Sequence, residues 1–337
     1  MYEKISILGA GSWGTALAIH LAGKFREISL WVYEQDLCET ITRTRDNSWF
    51  LPGHPLASNI HPTSSLEKAV EGHSLILLVV PTHVIRQTLT QIKPFVEKDC
   101  LVISASKGIE NETLLTGHQI IQDVLGTNTA TISGPTFAKE VAQGIPSALL
   151  ASAEDLMTAK QVQKIFTNDK MKVFANDDLI GVEIGGALKN VIAIATGISD
   201  GLGLGYNTRA ALITRGLVEI SRIGTELGAR PETFYGMSGL GDLVLTCTGD
   251  LSRNRQLGMR LGEGKTLKEI TESMKMVAEG VLTVKSAHSL ISKFKVQASI
   301  MEETYHVLHE NKPPSQALKD LMNVEISTEF AGIKGLK

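Results

Sequence analysis

A chain of 337 residues is longer than one simple core accommodates, so two domains are expected. Hydrophobic residues make up 43% and charged residues 20%, an ordinary globular balance, and a formal net charge of −3 with a pI near 6.3 offers no footprint for nucleic acid. The N-terminus enters a strand without a basic start and apolar signal region, and the longest dense apolar run, Leu75 to Val80, is far short of a membrane span. No stable membrane insertion is therefore expected. Cys38, Cys100 and Cys247 are odd in number, widely spaced and free of any CxxC pair, which points to reduced thiols in a cytoplasmic protein. The nine histidines show no ligand spacing, so no metal is expected.

Short apolar runs alternate with helical patterns through the first third, the signature of a parallel sheet covered by crossover helices. Strands are predicted near Lys4–Gly9, Ile28–Val32, Leu75–Val80, Leu101–Ala105 and Thr129–Ser133, with helices at Thr15–Gly23 and Thr82–Ile92 among those between them. Past about residue 180 helical periodicity takes over. Asn207 can cap a long helix with Leu212, Leu217, Ile220, Ile223 and Leu227 on its apolar face and Gly228 closing it. Pro231 suits the first turn of the next helix. Further helices are predicted at Asn254–Leu261, Thr266–Met274, Gly280–Phe294 and Ile300–Glu310, with a last short one after Pro313-Pro314. The expected class is α/β: an N-terminal Rossmann-like parallel-sheet domain over residues 1–180, an all-helical C-terminal domain over 181–327, and a mobile tail over 328–337.

Three groups of residues carry chemistry. Gly9-Ala10-Gly11-Ser12-Trp13-Gly14 is a GxGxxG loop after a strand and before a helix. Gly9 permits the turn, Gly11 lets backbone approach a pyrophosphate, Gly14 allows close helix–strand packing, and the helix N-terminus favours phosphate. Glu34, just past the second strand, is placed to bind ribose hydroxyls and leans toward NAD, while Arg43 and Arg45 could offset it, leaving NAD and NADP both open. Ser104-Ala105-Ser106-Lys107 ends another strand, which puts Lys107 where ligands bind in open α/β sheets. It also spells S-x-x-K, but it follows a strand and lacks the KTG and SDN partners of a serine acyl-enzyme. Ser133-Gly134-Pro135-Thr136 follows a further strand, with Gly134 open to close approach and Thr136 a possible helix cap.

The second group is a lysine inside an apolar helical run, Gly185 to Gly197, where Lys189 and Asn190 sit among alanine, valine, leucine and isoleucine. Burial disfavours an ammonium, so such a lysine is paired, used in chemistry, or snorkels to water. The third is Gly239-Leu240-Gly241-Asp242 followed by Ser252-Arg253-Asn254-Arg255. There Ser252 can cap a helix whose first turn makes an anion site, and Asp242 either orients Lys189 or is only a loop or cap residue. Cys247 is read as packing.

Together these residues resemble the bacterial type of NAD(P)-dependent glycerol-3-phosphate dehydrogenases. GALKNVIAIATGISDGLGLGYN from Gly186 to Asn207 matches the family signature throughout, and GAGSWGTALA, VVPTHV, SKGIE, ISGPTFAKE, GLGDLVLTC and SRNR follow in the family's order. The resemblance implies an oxidoreductase interconverting dihydroxyacetone phosphate and sn-glycerol 3-phosphate with NAD(P)H, feeding phospholipid synthesis. It implies Lys189 as general acid/base, with Lys107 and Asp242 completing the catalytic centre. Gly134, Thr136, Asn190, Ser252, Arg253 and Asn254 would contact substrate; Ser12, Trp13, Tyr33, Lys107, Ala138, Arg253, Val277 and Glu279 would contact cofactor. Tyr33 stands where some members have histidine or arginine, and a phenol cannot neutralise a phosphate. The partner implied is a small phosphorylated three-carbon substrate; a homodimer is a candidate assembly. The competing expectations are another Rossmann-plus-helical hydroxyacid dehydrogenase and a dinucleotide-sensing protein without turnover.

Overall fold

The computed structural model describes residues 2–273, 279–325 and 328–336. Two compact units divide the chain: residues 1–106 with 117–179, and residues 107–116 with 180–337.

The first unit is built on eight strands: β1 (Lys4–Leu8), β2 (Glu27–Trp31), β3 (Ile60–Thr63), β4 (Leu75–Leu78), β5 (Leu101–Ser104), β6 (Asn128–Ser133), β7 (Ser147–Ala153) and β8 (Met171–Asn176). Their order is β3-β2-β1-β4-β5-β6-β7-β8, parallel at every step except the antiparallel β6–β7 pair. Helices α1 (Ser12–Leu21), α2 (Gln35–Thr44), α3 (Leu66–Val70), α4 (Ile85–Ile92), α5 (Gly117–Leu125), α6 (Ala138–Ala142) and α7 (Leu156–Phe166) accompany the sheet. Ile5, Ile7, Ile28, Leu30, Leu75, Leu77 and Ile103 turn to one face and pack with Leu17 and Leu21 of α1 and Val162 and Phe166 of α7. All five predicted strands are present. The sequence reading missed three: β3 is a short edge strand interrupted by Pro62, β7 is alanine- and serine-rich, and β8 is an edge strand.

The second unit is helical: α8 (Leu179–Gly201), α9 (Gly205–Glu226), α10 (Asp242–Thr248), α11 (Arg253–Gly262), α12 (Leu267–Ser273), α13 (Gly280–Phe294), α14 (Ser299–His309) and α15 (Pro314–Met322). Helix α8 has the length and composition of a membrane span, yet 89% of its most apolar stretch is buried inside the protein. It is the axis of a core made with Leu217, Ile220 and Ile223 of α9, Leu257 of α11 and Val284 of α13.

Four expectations need correction. Helix α9 begins at Gly205, after Gly203 in a positive-φ turn, so Asn207 lies inside the helix and does not cap it. Pro231 opens only a 3-10 turn, Pro231–Tyr235. The ten residues 107–116, assigned from sequence to the first domain, group with the helices. Ser286 of α13 donates to Ile109 O at 2.9 Å, and Ile109 is buried in the helical core. The tail expected to be mobile docks along α9: Arg222 donates to Ala331 O at 2.6 Å, Lys334 pairs with Glu226 at 2.6 Å, and Ile333 is buried.

Candidate active site

The glycine loop of the first unit is shaped by its own backbone. Gly9 has φ +117°, and a Cβ there would lie 2.6 Å from Val79 O; a Cβ on Gly14 would lie 1.8 Å from Gly9 O. Both glycines are thus demanded by the protein itself. Gly11 differs, because a Cβ on it would meet nothing within 4 Å. Space kept open at the residue preceding α1, with the helix's unpaired amides behind it, suits the pyrophosphate of a dinucleotide. Asn47 holds the loop from below, its amide donating to Ala10 O and Thr15 Oγ1 at 2.8 Å each, and Ser12 donates to Phe50 O at 2.6 Å. No motif in the sequence marked Asn47. Trp13 packs partly buried against the sheet core.

At the end of β2, Tyr33 is 77% exposed and Glu34 immediately precedes α2. Arg43 and Arg45 stand at the opposite end of that helix, roughly 14 to 17 Å from Glu34 along its axis. Arg45 is also committed, donating to Ala57 O and, at 2.9 Å, to Ile60 O. Neither arginine of α2 is placed to offset the Glu34 carboxylate. Gly134 follows β6 with φ +147°, and Thr136 donates to Gly134 O at 3.2 Å; the residue capping α6 is Phe137, so the predicted Thr136 cap is absent. Ala138 is the first residue of α6.

In the second unit, Lys189, Lys107 and Asp242 converge. Lys189 lies at the middle of α8 with 6% of its surface exposed, and Asp242 has 1%. The Lys189 ammonium donates to Asp242 Oδ1 at 2.5 Å and Lys107 donates to Asp242 Oδ2 at 2.6 Å, so one carboxylate serves two cations. Asp242 is not in a loop: a π-helical turn, Met237–Gly241, delivers it as the first residue of α10. One turn later Thr246 accepts from Lys189 Nζ at 2.8 Å and donates to Asp242 O at 2.6 Å. Sequence reading passed over Thr246; its four-residue spacing from Asp242 becomes informative only once both are known to lie on one helix.

Burial is the largest influence on Lys189 and pulls its pKa down from the ordinary 10.5 to about 8. The Asp242 charge opposes this and the Lys107 charge adds to it. Two of the three ammonium N–H bonds are spent on Asp242 and Thr246, and among the described residues the third has no acceptor. Such a group can give a proton to a nascent oxyanion or take one from an alcohol. Cys247 is fully buried and its thiol is pushed up to about 12 by that burial, which fits packing.

Ser252 caps α11, its hydroxyl accepting from Arg255 N–H at 3.3 Å. Arg253 is exposed on the first turn and has no hydrogen bond or ion pair among the described residues. Asn254 donates to Asn190 Oδ1 at 2.9 Å and accepts from Gly280 N–H at 3.1 Å. Arg255 is buried; it pairs with Asp200 at 2.8 Å, and Asp200 also holds Arg209 at 2.6 Å. Glu279 directly precedes α13, while Val277 lies outside the described residues.

The profile described as the NAD-dependent glycerol-3-phosphate dehydrogenase N-terminus matches residues 4–159, and that of the C-terminus matches residues 178–319. A protein of Geobacter metallireducens called glycerol-3-phosphate dehydrogenase [NAD(P)+] is 52% identical over 333 residues, 98% of this chain and 99% of that one. A counterpart of the same name from Geobacter sp. (strain M21) is 50% identical over 333 residues, again 98% of this chain and 99% of that one. The crystal structure of glycerol-3-phosphate dehydrogenase from Coxiella burnetii superposes with a TM-score of 0.93 at 38% identity, covering 96% of this chain and 99% of that one. Matched from the glycine loop to the last helices, this chain belongs to the NAD-dependent glycerol-3-phosphate dehydrogenase family.

Proposed function

We propose that this protein reduces dihydroxyacetone phosphate to sn-glycerol 3-phosphate, and catalyses the reverse, with Lys189 as general acid/base. The observation that carries this reading is the buried Lys189 ammonium, oriented by Asp242 and Thr246 with one N–H bond uncommitted among the described residues. A bound nicotinamide supplies the hydride. As charge develops on the carbonyl oxygen, Lys189 stabilises and then protonates it, which is the role a pKa of about 8 suits. Asp242 holds both amines in place, and Lys107 adds positive potential beside the developing charge. The relatives' shared name, glycerol-3-phosphate dehydrogenase [NAD(P)+], supports glycerol 3-phosphate as the alcohol that is oxidised.

Ser252, Arg253 and Asn254 are proposed to bind the phosphate, because the capped start of α11 offers amides, dipole and the exposed Arg253 guanidinium. Asn190 is proposed to contact substrate beside Lys189, and Gly134 and Thr136 are proposed as further substrate-binding residues. Gly9, Gly11, Ser12, Trp13, Gly14, Tyr33, Glu34, Lys107, Ala138, Arg253 and Glu279 are proposed as cofactor-binding residues. The product is the glycerol phosphate that phospholipid synthesis consumes, and a cytoplasmic setting accords with three free buried cysteines.

Arg253→Ala tests the phosphate assignment. Loss of one or two charge-assisted hydrogen bonds is expected to raise KM for dihydroxyacetone phosphate about 10- to 100-fold and to weaken NADH binding far less. Equal activity of the unaltered enzyme on unphosphorylated dihydroxyacetone would instead favour a hydroxyacid-type dehydrogenase.

Glu34 makes a second test. With Arg45 tied to backbone and Arg43 at the far end of α2, a 2′-phosphate would face the carboxylate without relief from α2. NADH is expected to exceed NADPH in kcat/KM by on the order of tenfold or more, and Glu34→Ser to narrow the gap. A wild-type preference for NADPH would refute the assignment.

A further inference from the structure

The start of α11 is held beside Lys189 by a contact that is largely backbone against backbone. Helices α8 and α11 run in the same direction with their backbones touching. A Cβ on Gly258 would stand 2.1 Å from Ile194 O, and one on Gly262 would stand 2.4 Å from Ile198 O. From the other side, a Cβ on Gly197 would stand 2.1 Å from Arg255 O and one on Gly201 2.2 Å from Met259 O. These obstacles are main-chain carbonyls of intact helices, which cannot swing aside as a flexible side chain can. The register advances evenly by one turn: Asn190 meets Asn254 through a 2.9 Å hydrogen bond, then Ile194 meets Gly258, then Ile198 meets Gly262. The asparagine pair is thus the first rung of a ladder whose later rungs are glycine against backbone. The buried Arg255–Asp200 pair, 2.8 Å apart, ties the same two helices independently.

We propose that this glycine ladder is a positioning device. It sets the separation between the Lys189 amine and the anion-binding turn at Ser252, Arg253 and Asn254, and so selects the distance between carbonyl and phosphate that a substrate must have. The inference rests on the assignment of those residues under Proposed function. Arg253 and Asn254 lie one turn before Gly258 on the same rigid rod, so any sideways displacement at Gly258 is transmitted to them. A misplacement of about 1 Å in a substrate-holding group can cost up to roughly 100-fold in rate.

The test is Gly258→Ala in the full-length enzyme, assayed with dihydroxyacetone phosphate and with unphosphorylated dihydroxyacetone, alongside the NADH dissociation constant. KM for the phosphorylated ketone is expected to rise on the order of 10- to 100-fold, while kcat/KM for the unphosphorylated ketone and NADH affinity stay within about threefold. Equal losses on both ketones would mark a merely structural lesion and overturn the proposal; so would an unchanged KM in a folded variant. Gly262→Ala, one turn farther from the site, is judged by the same criteria if Gly258→Ala does not fold. Arg253→Ala separates the two levels of argument. Should it leave KM unchanged, the phosphate assignment falls; should it raise KM while the glycine variants do not, only the ladder falls.

Discussion

Lys189→Ala is expected to lower kcat for ketone reduction by at least about 1,000-fold, since it removes both the proton donor and the positive charge beside the oxyanion. NADH affinity should stay within a few-fold, measured by fluorescence titration, because the glycine loop and Glu34 belong to the other unit. A variant that lost cofactor binding in parallel with turnover would show the lysine to be structural. The wild-type pH profile carries the same information with a definite sign. Reduction needs the ammonium, so its rate should fall as pH rises through about 8; oxidation needs the free amine and should rise over the same interval. Stability follows from the same displacement. The folded pKa lies below the ordinary 10.5, so between about 8 and 10.5 the unfolded chain binds more protons than the folded one. Lys189 therefore destabilises the fold most below pH 8, and its contribution improves as pH rises through that window.

How much of this was legible in the sequence depended on how local the cause was. Strands β1, β2, β4, β5 and β6 lie inside the sheet, where burial on both faces writes continuous apolar runs. Edge position removes that requirement from β3 and β8, and β7 reverses direction in a segment of small residues. The oddity of Lys189 was legible because an ammonium in an apolar helix has few explanations. Its partner was half legible: the glycines before Asp242 read as loop, while in the fold they form a π-helical turn pressed against Phe234, where a Cβ on Gly239 would lie 2.1 Å from Phe234 O. Thr246 and Asn47 were hidden because each acts through hydrogen bonds to residues distant in sequence or invisible without knowing the helix. The same holds for Arg255, which looks like half of a surface arginine pair until Asp200 is found beneath it. Gly197, Gly201, Gly258 and Gly262 illustrate the limit further, since spacing four residues apart on two helices gains meaning only when the helices are seen to touch.

Asp242→Ala is expected to have the largest effect on stability and activity together. It would leave Lys189 and Lys107 facing each other without their shared carboxylate, at a site where Asp242 is 1% exposed. Removing one partner of a buried ion pair costs about 3 to 5 kcal/mol, a large share of the roughly 5 to 15 kcal/mol that keeps a typical protein folded. Urea unfolding should detect the loss in the helical unit, and turnover should be absent. A milder substitution separates charge from shape. Asp242→Asn preserves the volume and an acceptor for Lys189, yet removes the negative charge that holds the Lys189 pKa up against burial and against Lys107. The Lys189 pKa in that variant must therefore drop below about 8, and the alkaline limb of the reduction profile should move to lower pH. An alkaline limb that stayed in place would mean that another group controls it, and the proton donor would have to be sought elsewhere.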